Sequence, residues 1–150
     1  MTSPVAIRAV EDADLPIFYE HQSDPIANAM AVVPARDRVS FDAHWVKIRA
    51  TDTGLARTIV VDGVVVGMIL SWLDGEDRWV GYWIGREYWG RGYASRALAL
   101  LVEEIPDRPI LASIADSNIG SRRVLEKCGF VRVGELVEED GVEGSIYRLD

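Results

Sequence analysis

The segment GYWIGREYWGRGYASRAL, from Gly81 to Leu98, constrains this chain more than any other. A β-branched and aromatic run over Arg78–Ile84 reads as a strand, and it leads into a glycine-bearing turn. Beyond the turn, apolar residues fall at Ala94, Ala97, Leu98, Leu101 and Ile105, the spacing of a helix with one buried face. Pro106 stops that helix. A helix start leaves about four backbone N–H groups unpaired and carries partial positive charge. Glycines let an anion approach the backbone closely. The order strand, glycine turn, helix therefore suits a pyrophosphate, with Arg91 in the turn as added charge. Neither the dinucleotide pattern GxGxxG nor the P-loop pattern GxxxxGK[ST] is present. Taken alone, these residues also fit a glycine turn with no ligand.

The other elements follow from pattern and punctuation. Val5–Ala9 reads as a strand and Asp14–Gln22 as a helix with an acidic start. Asp24–Asp37, with Pro25 and Pro34, reads as irregular. Ser40–Arg49 reads as a helix with Ser40 as N-cap. Leu55–Val61 and Val64–Trp72 flank Asp62-Gly63, a pair suited to the positive φ values of a type I′ hairpin turn. Ile110–Ile114 reads as a strand, Ser117–Cys128 as a helix with Gly129 at its C-cap, and Val131–Val137 and Val142–Leu149 as closing strands around Asp140-Gly141. Alternating strands, helices and hairpins predict an α/β or α+β sheet with helices on its faces.

The length of 150 residues fits one domain, spanning 1–150, with no repeat or linker to divide it. The single cysteine, Cys128, excludes an internal disulfide, and no Cys/His cluster suggests zinc, so no metal is expected. Neither a signal-type leader nor a membrane-length apolar run is apparent, which predicts a cytoplasmic protein away from membranes. The net charge of −8 argues against nucleic acid. Yet Arg86, Arg91, Arg96, Arg108, Arg122, Arg123 and Lys127 fall in one stretch, which fits either a small phosphorylated ligand or a solvated surface.

A second constellation, NIGSRRVLEKCGF, runs from Asn118 to Phe130. Asn118 and Ser121 share one helix face, and both residue types also serve as caps. Val124, Leu125, Cys128 and Phe130 read as core. The two segments, in this order, resemble the GNAT superfamily of acyl-CoA N-acyltransferases, and within it the Rim-type amino-terminal acetyltransferases. The family loop [QR]xxGx[GA] is similar to Trp89-Gly90-Arg91-Gly92-Tyr93-Ala94, with Trp89 in place of Gln or Arg. The family element NxxSxxxLEKxGF corresponds to Asn118, Ser121, Leu125, Glu126, Lys127, Gly129 and Phe130.

The resemblance implies a mostly antiparallel twisted sheet of about seven strands, splayed in the middle, with about four helices on its faces. It implies acetyl-CoA as co-substrate, lying between Arg78–Ile84 and Ile110–Ile114, with no metal. The implied cofactor-binding residues are Trp83, Ile84, Trp89, Gly90, Arg91, Gly92, Tyr93, Ala94, Ser95, Asn118, Arg122 and Lys127. Backbone near Ile84 would pair with the pantetheine arm, and the N–H groups of Arg91 to Ser95 would hold the pyrophosphate. Gly81 would form a bulge that opens the strand. The implied catalytic residues are Asn118 and Ser121. Many relatives carry a Tyr where this chain has Leu125, so Ser121 is the expected proton donor to the leaving thiolate.

The implied activity is direct attack of a primary amine on the thioester. The acceptor is expected to be a protein or peptide α-amine; a small amine such as an antibiotic, polyamine or amino acid is the alternative, and a non-catalytic acyl-CoA sensor a further one. A homodimer is compatible. Glu76, Asp77, Glu87, His21 and His44 are candidate general bases, each also explicable as a turn, surface or helix residue; water is the other option. Deprotonating an α-amine of pKa ~8 at pH 7 costs about 1.4 kcal/mol, against about 4.6 for a lysine. The acceptor site is expected from Asp24–Asp37, Trp79 and the Glu138–Gly144 turn, with Glu138, Glu139 and Asp140 available to attract a cationic amine.

Overall fold

The computed structural model describes residues 4–137 and 141–150. Seven strands form one sheet: β1 (Val5–Ala9), β2 (Leu55–Val61), β3 (Val64–Asp74), β4 (Asp77–Ile84), β5 (Ile110–Ala115), β6 (Val131–Val137) and β7 (Glu143–Leu149). Their order across the sheet is β1-β2-β3-β4-β5-β7-β6. Every neighbouring pair is antiparallel except β4 and β5, which run parallel. The helices are α1 (Leu15–Gln22), α2 (Pro25–Ala31), α3 (Arg38–Ala50), α4 (Tyr93–Glu104) and α5 (Ile119–Lys127). Among the described residues there are thus five α-helices where about four are expected. The β2–β3 turn has φ of 51° at Asp62 and 78° at Gly63, as a type I′ turn requires.

The additional helix is α2, inside the stretch expected to be irregular. Asp24 caps it, its carboxylate accepting the N–H groups of Ile26 and Ala27, and Pro25 occupies the first turn, where a missing N–H costs nothing. The cap of α3 also differs from expectation. Asp37, not Ser40, is the N-cap, and its carboxylate accepts the Ser40 N–H at 2.8 Å.

One side of the sheet carries α4 and α5. Ala97, Leu98 and Leu101 are fully buried on α4, as its apolar spacing demands, against Ile59, Ile69, Val80 and Ile110. Each such leucine contributes about 1.5–3 kcal/mol by leaving water. The other side carries α1 and α3, which bury Phe18, Phe41 and Trp45 against Met68. Asp14 ties the N-terminal strands together. Its carboxylate accepts hydrogen bonds from Arg8 at 2.7 and 2.9 Å and from the Thr58 hydroxyl at 2.6 Å.

The sheet opens at its centre. β4 and β5 share two residue pairs, Arg78 with Ile110 and Trp79 with Leu111, and diverge beyond them. No bulge at Gly81 causes the opening, because the β3–β4 register runs unbroken through Leu70 and Gly81. Gly81 has a different constraint. A Cβ there would lie 3.2–3.3 Å from the six-membered ring of Trp72, which leans across it.

Candidate cofactor and acceptor site

The residues of β4 beyond Trp79 face a gap instead of a neighbouring strand. At the end of β4 the chain turns through Gly85–Gly92 and enters α4. Gly90 and Gly92 have φ of 78° and 77°, in the left-handed region that glycine adopts without strain. A Cβ at Gly90 would meet nothing within 4 Å, and at Gly92 only the Ser95 hydroxyl at 4.0 Å. The start of α4 therefore stands open to a ligand, with its first N–H groups unpaired by the helix.

Side chains fix this turn. The Trp89 indole N–H donates to the Ile84 carbonyl at 2.9 Å. The Arg96 guanidinium donates to the Arg91 carbonyl at 3.2 Å and lies over the Tyr93 ring. The Ser95 hydroxyl donates back to the Gly92 carbonyl at 3.1 Å.

Across the gap, Asn118 caps α5 by accepting the Ser121 N–H at 3.2 Å. The Tyr82 hydroxyl donates to the Ser121 carbonyl at 3.3 Å, joining β4 to α5 beneath the cleft. Burial pushes the Tyr82 phenol up to about 12, outweighing the opposing influence of the Ser121 side chain.

Two cavities occupy the cleft. The smaller, about 440 Å³, is lined by Trp83, Ile84 and Trp89–Ala94 from the strand end and loop, and by Asn118, Ser121 and Arg123 from α5. The larger, about 750 Å³, is lined by Val32–Pro34, Val80–Trp83, Ala112–Ala115, Leu125, Leu136, Val142 and Gly144. Ala31, Tyr82, Trp83, Asn118 and Ser121 line both and form their junction. α2 contributes Ala27 and Met30 to the smaller cavity.

Of the residues expected to bind the cofactor, Trp83, Ile84, Trp89 to Ala94 and Asn118 come together on the smaller cavity, while Ser95, Arg122 and Lys127 do not line it. Arg122 pairs with Glu126 at 2.8 Å and faces a separate groove beside Arg132 and Tyr147. Arg123 is the arginine of α5 that turns toward the cleft. Sequence reasoning passed over Tyr82 as well, although it stands inside the GYW run.

None of the candidate bases lines either cavity. Glu76, Asp77 and Glu87 are exposed. His21 packs against Gly85, whose Cβ would fall 2.6 Å from its Nε2, and its carbonyl accepts the Trp83 indole N–H at 3.0 Å. Burial pushes the His21 imidazole down, against the pull of Glu87 and Glu20. His44 is lowered by burial and by Arg36 and Lys47. Of the expected acceptor elements, Val32, Val33, Pro34, Val142 and Gly144 line the larger cavity and Trp79 does not. Glu138, Glu139 and Asp140 lie outside the described residues.

The donor set suits an extended molecule with an anionic end. The open α4 start and Arg91 would receive phosphate, and the unpaired edge of β4 would receive amide groups. Among the described residues no group of three or more metal-ligating side chains assembles, and no helix is long and apolar enough to cross a membrane.

A family model described as "Acetyltransferase (GNAT) domain" matches residues 5–131. A Bacillus subtilis (strain 168) protein named "Putative ribosomal N-acetyltransferase YdaF" is 33% identical over 112 residues, covering 70% of this chain and 61% of that protein. The match thus spans about three fifths of that relative's length. Mycobacterium smegmatis RimJ, solved in complex with CoA-disulfide, has a TM-score of 0.77 at 24% identity, over 97% of this chain and 81% of that one. Spermidine N-acetyltransferase from Vibrio cholerae, solved with CoA and spermine, has a TM-score of 0.81 at 17% identity, over 96% and 92%. At these identities the structural likeness concerns the fold.

Proposed function

Since the chain belongs to the GNAT acetyltransferase family, we propose that it moves an acetyl group from acetyl-CoA to the α-amine of a peptide or protein. Acetyl-CoA, when bound, supplies the activated thioester. In this reading the N–H groups from Arg91 to Ser95 hold the pyrophosphate, with Arg91 and Arg123 adding charge. The edge of β4 near Ile84 aligns the pantetheine arm, and β4 N–H groups in the gap stabilise charge developing on the carbonyl oxygen. The acceptor enters through the larger cavity, and its amine meets the thioester at the junction. The new C–N bond forms as the C–S bond breaks. Ser121 gives its hydroxyl proton to the departing thiolate and recovers one from the solvent, to which the amine releases its own. Asn118 holds the start of α5 and so the position of Ser121.

One observation carries the choice of acceptor. Among the described residues, neither cavity is lined by an aspartate, glutamate or histidine. With no side-chain base among the described lining residues, this site is read as one that takes an amine already neutral. At pH 7 that favours an α-amine over a lysine by about 3 kcal/mol, roughly 250-fold. The name carried by the Bacillus subtilis relative favours a protein acceptor over a small amine.

The test is thiol release from acetyl-CoA with matched peptides bearing a free α-amine or only a free lysine, alongside spermidine. Faster turnover of the α-amine peptide supports this function. Faster turnover of the lysine peptide or of spermidine overturns it.

A further inference from the structure

The larger cavity has an unusual wall. Val32 ends α2 in the left-handed conformation, with φ of 55° and ψ of 46°. A β-branched residue is rarely found there, and such outliers gather where a site needs them. The backbone needs the turn: the Val32 N–H donates to the Ala29 carbonyl and the Val33 N–H to the Asn28 carbonyl at 3.0 Å. It does not need the side chain, since glycine is the usual residue at such a helix end. Val32 and Val33 are nonetheless 39% and 45% exposed, and both line the cavity. Leu136, Val142 and Gly81 line the same cavity, and a Cβ at Gly81 would press on the Trp72 ring. Among the described residues lining this cavity, no side chain carries a charge.

We propose that Val32 is a specificity-determining residue, and that this cavity selects acceptors whose first residue has an apolar side chain. The proposal rests on the α-amine reading above. A side chain one carbon from the attacking amine leaves the junction at Asn118 and Ser121 and enters the cavity directly. The volume, about 750 Å³, is within the range of sites that enclose a drug-sized ligand. Valine or leucine there exchanges water for Val32, Leu136 and Val142. Aspartate would enter without a cation to meet it, and a polyamine without a carboxylate among the described lining residues.

The test compares kcat/KM for peptides that differ only in their first residue (Gly, Ser, Asp, Val or Leu), with spermidine beside them, for wild type and Val32→Gly. The expected result is that Val and Leu exceed Gly, Ser and Asp by about tenfold or more. Val32→Gly should reduce that preference while its unfolding temperature stays level or rises, because glycine relieves the strained backbone. Equal rates across the first residues, or a preference for Asp or Ser, would overturn the proposal and leave the α-amine function standing. A preference for Val and Leu that survives Val32→Gly unchanged would overturn the role of Val32. Turnover of spermidine without turnover of any peptide would overturn both readings.

Discussion

The indole N–H of Trp89 donates to the carbonyl oxygen of Ile84 at 2.9 Å, pinning the glycine loop to the last residue of β4. The loop that would hold phosphate and the strand edge that would hold the pantetheine arm thus share one anchor. Trp89→Phe keeps the ring and removes the donor. A hydrogen bond of this kind contributes about 0.5–1.5 kcal/mol. The KM for acetyl-CoA should rise about two- to tenfold with kcat little changed. A fall in kcat with KM unmoved would contradict this role.

Gly92→Glu should abolish acetyl-CoA binding by calorimetry, because it puts a carboxylate at the open start of α4. Gly92→Ala forces φ of 77° on a residue with a Cβ, at a cost of about 1–2 kcal/mol, but adds no charge. It should weaken binding far less. Equal loss in the two variants would show that backbone strain, not charge, is the cause.

The pH profile of kcat/KM should show one rising limb that follows the acceptor. With Tyr82 held protonated up to about 12 by burial, and with His21 and His44 away from both cavities, the ascending pKa should be that of the amine, ~8 for a peptide. Peptides of different α-amine pKa should shift the limb in step. A fixed limb near 6–7 would reveal a base on the enzyme.

Asp14 should govern acid stability. Burial raises its pKa, but hydrogen bonds from Arg8, Thr58 and the Glu11 N–H prevail and hold it at about 2. A carboxylate lowered on folding stabilises above its unfolded pKa and loses that stability as pH falls through the folded value. Asp14→Asn should cost about 2 kcal/mol at neutral pH, and the gap from wild type should narrow between about pH 4 and pH 2. Denaturant midpoints across that range provide the check.

Local signals read correctly where one residue dictates one geometry. Asp62-Gly63 specifies its turn, and the spacing from Ala94 to Leu101 specifies the buried face of α4. The helix α2 was legible in principle, because an aspartate followed by proline is a helix-start pair, but Pro25 and Pro34 together suggested irregular chain. The orientation of α5 was not legible. Arg122 and Arg123 point about 100° apart around the helix, and which one meets the cleft depends on how α5 docks against strands distant in sequence. The gap between β4 and β5 depends on pairing between those distant segments too.

That gap has a mechanical consequence. The sheet is two leaves, β1–β4 and β5–β7–β6, clasped by two rungs of parallel pairing. The buried Arg78 braces the clasp, bonded to Asp107 at 2.7 Å and to the Thr53 carbonyl at 2.8 Å. Above the clasp no backbone ladder holds the leaves at a fixed separation. Their spacing there is set by the core packed behind them, where Leu98 and Leu101 of α4 and Ile110 of β5 line neither cavity and support Val80, Ile84, Ala112 and Leu125, which do. The aperture of the site is therefore a property of core volume, and a methyl group gained or lost behind the sheet would be felt by a ligand it never touches.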